Sequence, residues 1–363
     1  MSMIAIRHAI ASGRQGDRSG LARLVLAGLV ALLGVAILVS LFTGASGVSA
    51  LDAAAIWLGL GGAEDASAAR AMLIINEIRL PRMVLGAMVG AGLAISGVVM
   101  QGMFRNPLAD PGLVGVSAGA GLGAVLFIVL GGTVLAPISA VLGIYAVPIA
   151  AFGGGALTTI ILYRVSTQRG QTAIATMLLA GIAIGALSGA VTGMLVYIAN
   201  DVQLRDLTFW GLGSLAGANW MKVIASAPFM VTGIVVSLML WRGLNALTLG
   251  EASAHHMGVD VQRLKNVAIG AVAACVGAAV AVSGGIGFVG IVVPHLLRIL
   301  IGPDHRYLLP ASGLLGAAFL LGADAISRVI VAPAELPIGI ITASVGGPFF
   351  LYILLRRRNH LAW

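Results

Sequence analysis

"RLPRMVLGAMVGAGLAISGVVMQGMFRNPLADPGLVGVSAGAG", Arg79 to Gly121, holds the two signals that decide the fold class. The run 83–104 has no charged side chain, and a helix of about 20 such residues crosses ~30 Å of hydrocarbon. Arg105, Asn106, Pro107, Asp110 and Pro111 then follow within seven positions, before a second apolar run opens at Val114. Pro107 and Pro111 stop a helix, and residues before prolines avoid helical geometry. A break so polar between two apolar runs is a chain turning back into lipid. It is either a plain solvated turn or a shaped feature sheltered by protein.

The whole chain repeats that pattern. Of its 363 residues 59% are hydrophobic and 9% charged, against about 25% charged in soluble domains. A chain so poor in charge cannot cover a water-facing surface, so the lipid bilayer is its solvent. Ten apolar runs emerge between the Gly, Pro and charge breaks: 21–42, 83–104, 114–131, 141–163, 172–199, 223–241, 266–283, 286–301, 308–330 and 336–355. They are continuously apolar, without the alternation of a lipid-facing strand, so an all-α polytopic membrane protein is expected. The first run is too long for a signal-peptide core and reads as a retained helix. The shortest, 286–301, carries Pro294.

The net charge of +8 is spread between the runs and not gathered in a stripe for nucleic acid. With the N-terminus inside, ten crossings leave Arg7, Arg14, Arg18, Arg23, Arg105, Arg164, Arg169, Arg242, Arg263, Lys265, Arg298, Arg306, Arg356, Arg357 and Arg358 on the cytoplasmic side. Arg70, Arg79, Arg82, Arg205, Lys222 and Arg328 fall outside. Fifteen against six is the positive-inside bias, and losing one span would spoil it. Both termini are therefore expected in the cytoplasm. The expected division is a tail over 1–20, a ten-helix domain over 21–356 and a tail over 357–363.

Chemistry is sparse. Lysine occurs only at 222 and 265, so no Gly-x-x-x-x-Gly-Lys phosphate loop exists, and the chain is not itself a nucleotide-driven motor of that type. Only His295 of the six histidines falls within a run, which speaks against paired axial ligation of an intramembrane haem. Asp324 and Glu335 lie near outer span ends, which weakens a proton-coupled carrier acting alone. The lone Cys275 allows no intrachain disulfide. No catalytic or metal-ligating set is expected.

Three further patterns carry information. Gly181, Gly185, Gly189 and Gly193 recur every four residues in the fifth run beside Ser188 and Thr192, and Gly115, Gly119 and Gly123 do so in the third. Such spacing serves close helix packing, or marks a face near an axis where helices slide or part. Arg79 and Arg82 share a helical face, as a lipid-phosphate anchor or a docking point for carboxylates. In "LTLGEASAHHMGVDVQRLKN", Leu247 to Asn266, Gly250 and Gly258 bracket a short helix that is either a linker or a plug for another subunit.

Together with "SGGIGFVGIVVPHLLRILIGPDHRYLLP" and "GADAISRVIVAPAELPIGIITASVGGPFFLYILLRR", these stretches resemble the permease subunits of FecCD/BtuC-type ABC importers over roughly residues 20 to 356. Within that family the break at Met100–Gly115 looks most like haem (hemin) permeases. The resemblance implies a type II importer fold of ten helices and a homodimer with one path on its two-fold axis. It also implies two ATP-binding cassette subunits that carry ATP and Mg, and a periplasmic binding protein. This chain would then lie in the bacterial inner membrane and hold no cofactor of its own. By the same resemblance Arg79, Arg82 and Arg328 meet the binding protein. Asn106 and Leu108, with Ser166 and Thr167, form the cytoplasmic gate. The path follows Gly181, Gly185, Ser188, Gly189, Thr192 and Gly193. Coupling to the ATPases falls to Gly250, Glu251, Ala254, His255, Met257 and Gly258, in a segment of about 244–265. Ferric siderophore or cobalamin are the alternative ligands, and an ion-driven secondary transporter the rival class.

Overall fold

With lipid as solvent no backbone amide finds water, so each apolar run satisfies its own amides as α-helix. The computed structural model describes residues 18–43, 66–168, 171–332 and 334–358. Residues 1–17 of the expected N-terminal tail (with Arg7 and Arg14), Arg169, and the end of the C-terminal tail (359–363) lie outside them. Each of the ten expected runs is met by an apolar helix: α1 (Ser19–Phe42), α2 (Leu80–Met103), α3 (Val116–Leu130), α4 (Ala146–Ser166), α5 (Ile174–Ile198), α6 (Trp220–Met239), α7 (Val261–Ser283), α8 (Val289–Ile301), α9 (His305–Val329) and α10 (Ile338–Arg358). Seven of them are long and apolar enough to cross a membrane by length and composition, and Val116–Leu130, Val289–Ile301 and Ile338–Tyr352 are shorter apolar helices.

The core is built around α2, which packs against α6, α7, α8 and α9 and is buried without interruption from Gly92 to Met103. Glycine makes this possible. A Cβ added at Gly90 would strike the Gly316 carbonyl of α9, and one at Gly97 the Gly290 carbonyl of α8. In lipid such backbone proximity gains dispersion contacts that larger side chains would prevent. The α3–α4 pair packs on the far side of α7, α1 lies along α9, and α5 sits at the edge against α3 and α4.

The break at Arg105–Gly115 departs from a plain solvated turn. Arg105 (φ 48°) and Asn106 are exposed, but the chain then re-enters the bundle, and Pro111 lies against Gly290 of α8. A 3₁₀ turn, Pro111–Val114, leads to Gly115, whose carbonyl accepts the Thr158 hydroxyl at 3.0 Å. Thr158 stands eight residues before the end of α4, about 12 Å up that helix at 1.5 Å per residue. The third crossing therefore starts as non-helical backbone at depth, shielded by protein as such backbone must be. That is why α3 is short.

Several connections between the apolar runs are helical as well. Asp201–Leu212 forms a helix between α5 and α6, started by a reciprocal cap in which Asn200 and Gln203 each accept the other's backbone N–H at 3.0 Å. Helical turns over Ala66–Leu73 and Ile74–Arg79 lead into α2. The end of Asp201–Leu212 also explains the late start of α8. Trp210 accepts from Gly285 N at 3.4 Å, and Ser214 donates to the Ser283 carbonyl at 2.7 Å. Those bonds hold Gly284–Gly287 out of helix until Phe288 (φ 69°) turns the chain into α8.

Candidate path, gate and coupling segment

The α5 helix has a mean composition as apolar as its neighbours, yet only Met177, Ser188 and Leu195 are buried. Gly181 and Gly185 are half-covered, and Gly189 and Gly193 are exposed, with Thr192 half-covered beside them. A Cβ added at Gly185, Gly189 or Gly193 would meet nothing within 4 Å. The third-run glycines differ: Gly119 faces the Gly154 carbonyl and Thr158, and Gly123 the Ala150 carbonyl. Close packing within the chain thus accounts for Gly119 and Gly123 and not for Gly185, Gly189 or Gly193, while Gly115 (φ 74°) serves the turn before α3.

The four gate candidates lie at two chain connections at one end of the bundle. Asn106 caps its own turn, its Oδ1 accepting the Leu108 N–H at 3.0 Å, and Leu108 is half-buried. Ser166 closes α4, its Oγ donating to the Tyr163 carbonyl at 3.2 Å. Thr167 opens a two-residue strand, β1 (Thr167–Gln168), paired antiparallel with β2 (Gln171–Thr172), and its hydroxyl lies 2.8 Å from that of Thr172.

The candidate coupling segment lies at the same end. Gly250 (φ 104°) and Gly258 (φ 84°) take backbone conformations that L side chains rarely adopt, which is why glycine brackets the helix Glu251–His256. Ala254 is buried with Leu247 and Leu264 in a small apolar core, whereas Leu249, His255, Met257 and Gly258 face outward. Glu251 is held by Lys265 at 2.9 Å. A Cβ on Gly250 would come within 3.7 Å of Arg105, and Asn245 bonds Asp304 at 2.7 Å. Connections that ten crossings assign to one side do meet there.

At the opposite end the three arginines gather, but not as a projecting pair. Arg79, Arg82 and Arg328 are each about 5% exposed or less. Arg82 grips Asp324 with Nε and Nη2 (3.0 and 2.8 Å) and Glu335 with Nη1 (2.9 Å). Arg328 reaches Asp324 at 2.9 Å and the Thr43 carbonyl at 2.7 Å, and Arg79 donates to the Leu41 carbonyl at 2.7 Å. The open carbonyls at the C-terminus of α1 and the buried Asp324 engage these donors. Sequence reasoning noticed both carboxylates but missed them as partners, because they lie some 250 residues away in the chain. It likewise missed Gln262, which accepts the Thr172 N–H at 2.8 Å.

The FecCD transport family model matches residues 32–356, nearly the whole chain. The chain belongs to that family. It is 47% identical to the hemin transport system permease protein HmuU of Yersinia pestis over 78% of its length and 83% of the relative's. The cobalamin import system permease protein BtuC of Halobacterium salinarum is also 47% identical, over 79% of this chain and 74% of the relative. A solved metal-chelate type ABC transporter in an inward-facing conformation superposes with a TM-score of 0.78 at 32% identity, covering 92% of this chain and 99% of that one. As a FecCD member the chain is a multi-pass permease of an ABC importer, a transport subunit that is not itself the ATPase. A secondary transporter acting alone is thereby set aside.

Proposed function

We propose that this permease carries haem from a periplasmic binding protein across the bacterial inner membrane, as a homodimer driven by two ATP-binding cassette subunits. The observation that carries the mechanism is the uncovered glycine face of α5, where two copies would enclose one path between Gly181 and Gly193. Small residues keep such a passage wide and let the two faces part and close without repacking a core. Asn106, Leu108, Ser166 and Thr167 would close its inner mouth, and Gly250–Gly258 would plug into the ATPase, Leu249 and Met257 offering apolar contact. ATP binding favours one of two conformations and so shifts their populations; no covalent step on the ligand is required.

Haem is favoured by the Met100–Gly115 stretch alone, since a hemin permease and a cobalamin permease are equally similar at 47% identity. A cobalamin reading has equal identity behind it and stands as the second reading. Uptake into vesicles holding the complete transporter, with hemin, a ferric siderophore and cobalamin offered through candidate binding proteins, separates them. Saturable, ATP-dependent accumulation of cobalamin and not of hemin would reverse the assignment.

Docking of the binding protein falls, in this reading, to Arg79, Arg82 and Arg328. Because Arg82 already holds Asp324 and Glu335, and Arg328 holds Asp324, docking is an exchange of internal for external carboxylates, starting at the more exposed Glu335. Affinity should fall with added salt, and Arg79→Glu with Arg82→Glu should weaken it at least tenfold. Equal affinity in a folded double variant removes this role.

A further inference from the structure

Thr172, the last residue of the hairpin, is buried, and all three of its polar atoms are held from α7. Its N–H donates to Gln262 Oε1 at 2.8 Å, its hydroxyl accepts from Gln262 Nε2 at 2.7 Å, and its carbonyl accepts from Lys265 Nζ at 3.0 Å. Lys265 is itself buried, and its ammonium reaches Glu251, the first residue of the coupling helix, at 2.9 Å. On the other side the Thr172 hydroxyl lies 2.8 Å from that of Thr167, and the two residues face each other in the strand pair. An unbroken polar chain therefore runs Glu251, Lys265, Thr172, Thr167, with Gln262 as a second clamp.

These contacts are more than a solvated surface mesh. A lysine ammonium shielded from water holds its geometry only while its acceptors stay in place, since an unpartnered buried charge is costly. Lys265 has one carboxylate, on the coupling helix, and one carbonyl, on the hairpin. Moving either without the other breaks a bond to a buried charge. Gln262 is fixed in turn, its second amide hydrogen going to Asn266 Oδ1 at 2.7 Å. The coupling helix is also tied to the start of α7 through the apolar contact of Ala254 and Leu264. Helix, α7 start and hairpin thus form one rigid body.

We propose that Gln262 and Lys265 are the positioning residues that transmit movement of the coupling helix to the hairpin carrying Thr167. The proposal rests on the gate and coupling roles given above. Displacement of the Glu251–His256 helix by a partner subunit drags Thr172 through Lys265. The hairpin follows as a unit because Gln262 holds Thr172 at both its N–H and its hydroxyl. A cavity of about 860 Å³ borders the chain, lined among others by Gln168, Glu251, His255, Asp260, Gln262 and Lys265, and leaves the hairpin room to shift.

The test uses the complete transporter in lipid, with Cys275→Ala to remove the native thiol and a spin label at Gln168→Cys on each copy. Distances between the two labels are measured without nucleotide and with ATP trapped, alongside the ATPase rate. In the parent the distance should change with ATP. Gln262→Ala and Thr172→Val should keep the ATPase rate within about twofold while at least halving that change, and Thr172→Ser, which keeps the hydroxyl, should restore it. Lys265→Met should act the same way and Lys265→Arg less. If Gln262→Ala and Lys265→Met move the hairpin as the parent does, the transmission is overturned while the gate reading stands. If the parent label is indifferent to ATP although the ATPase is active, the gate reading fails and this proposal with it.

Discussion

Two helices of this permease carry the same spacing of glycines and use it differently. On α3, Gly119 and Gly123 press into the backbone of α4, where Gly154 and Ala150 offer carbonyls and no side chain fits. On α5, Gly185, Gly189 and Gly193 look into open space. The first series is cohesion within one chain. The second leaves a smooth face that gains nothing from lipid, because lipid tails are as apolar as any side chain that could replace the glycines. A small-residue ridge therefore signals close approach only when a partner backbone is there to approach.

The contrast can be broken at its strongest point. Gly123→Leu places a side chain in the Ala150 carbonyl and should cost roughly 3 kcal/mol or more, seen as loss of monodisperse protein and of thermal stability in detergent. Gly119→Ala is a smaller insult against the Gly154 carbonyl and Thr158, with an expected loss of about 1–3 kcal/mol in the same melt. The double change Gly185→Leu with Gly189→Leu should leave the melt of the isolated chain within about 0.5 kcal/mol, as for a surface position. It should nevertheless block dimerisation or abolish uptake in vesicles. Wild-type uptake in that variant would make the α5 glycines ordinary lipid-facing residues. Smallest of all, Gly193→Ala should leave the melt unchanged, since its Cβ meets no atom within the chain, and should lower uptake by no more than about twofold, a methyl being the smallest group added to the path.

The opposite ends of the bundle teach a related lesson. Arg79 and Arg82 were legible as a pair on one face, since a spacing of three in a helix fixes that much. Their partners were not, because Asp324 and Glu335 enter from α9 and the segment after it. The short helix proposed for coupling was more legible: Gly250 and Gly258 marked its ends, and Glu251–His256 folds between them. Its brace to the hairpin was not, for nothing in Gln262 or Lys265 announces a partner at Thr172 some 90 residues earlier. The helix Asp201–Leu212 starts at a reciprocal Asn200–Gln203 cap, and its mixed composition left it outside the ten apolar runs.

The all-helical, multi-pass architecture could be read from the residues alone. Helix formation in lipid is local: each amide is satisfied four residues away, so an apolar run of sufficient length leaves no alternative. The re-entrant Pro111–Gly115 segment, the late start of α8 and the fates of the two glycine ridges were decided only by tertiary structure. Each depends on which backbone lies opposite, and that pairing is set by packing between distant segments whose spacing patterns look alike.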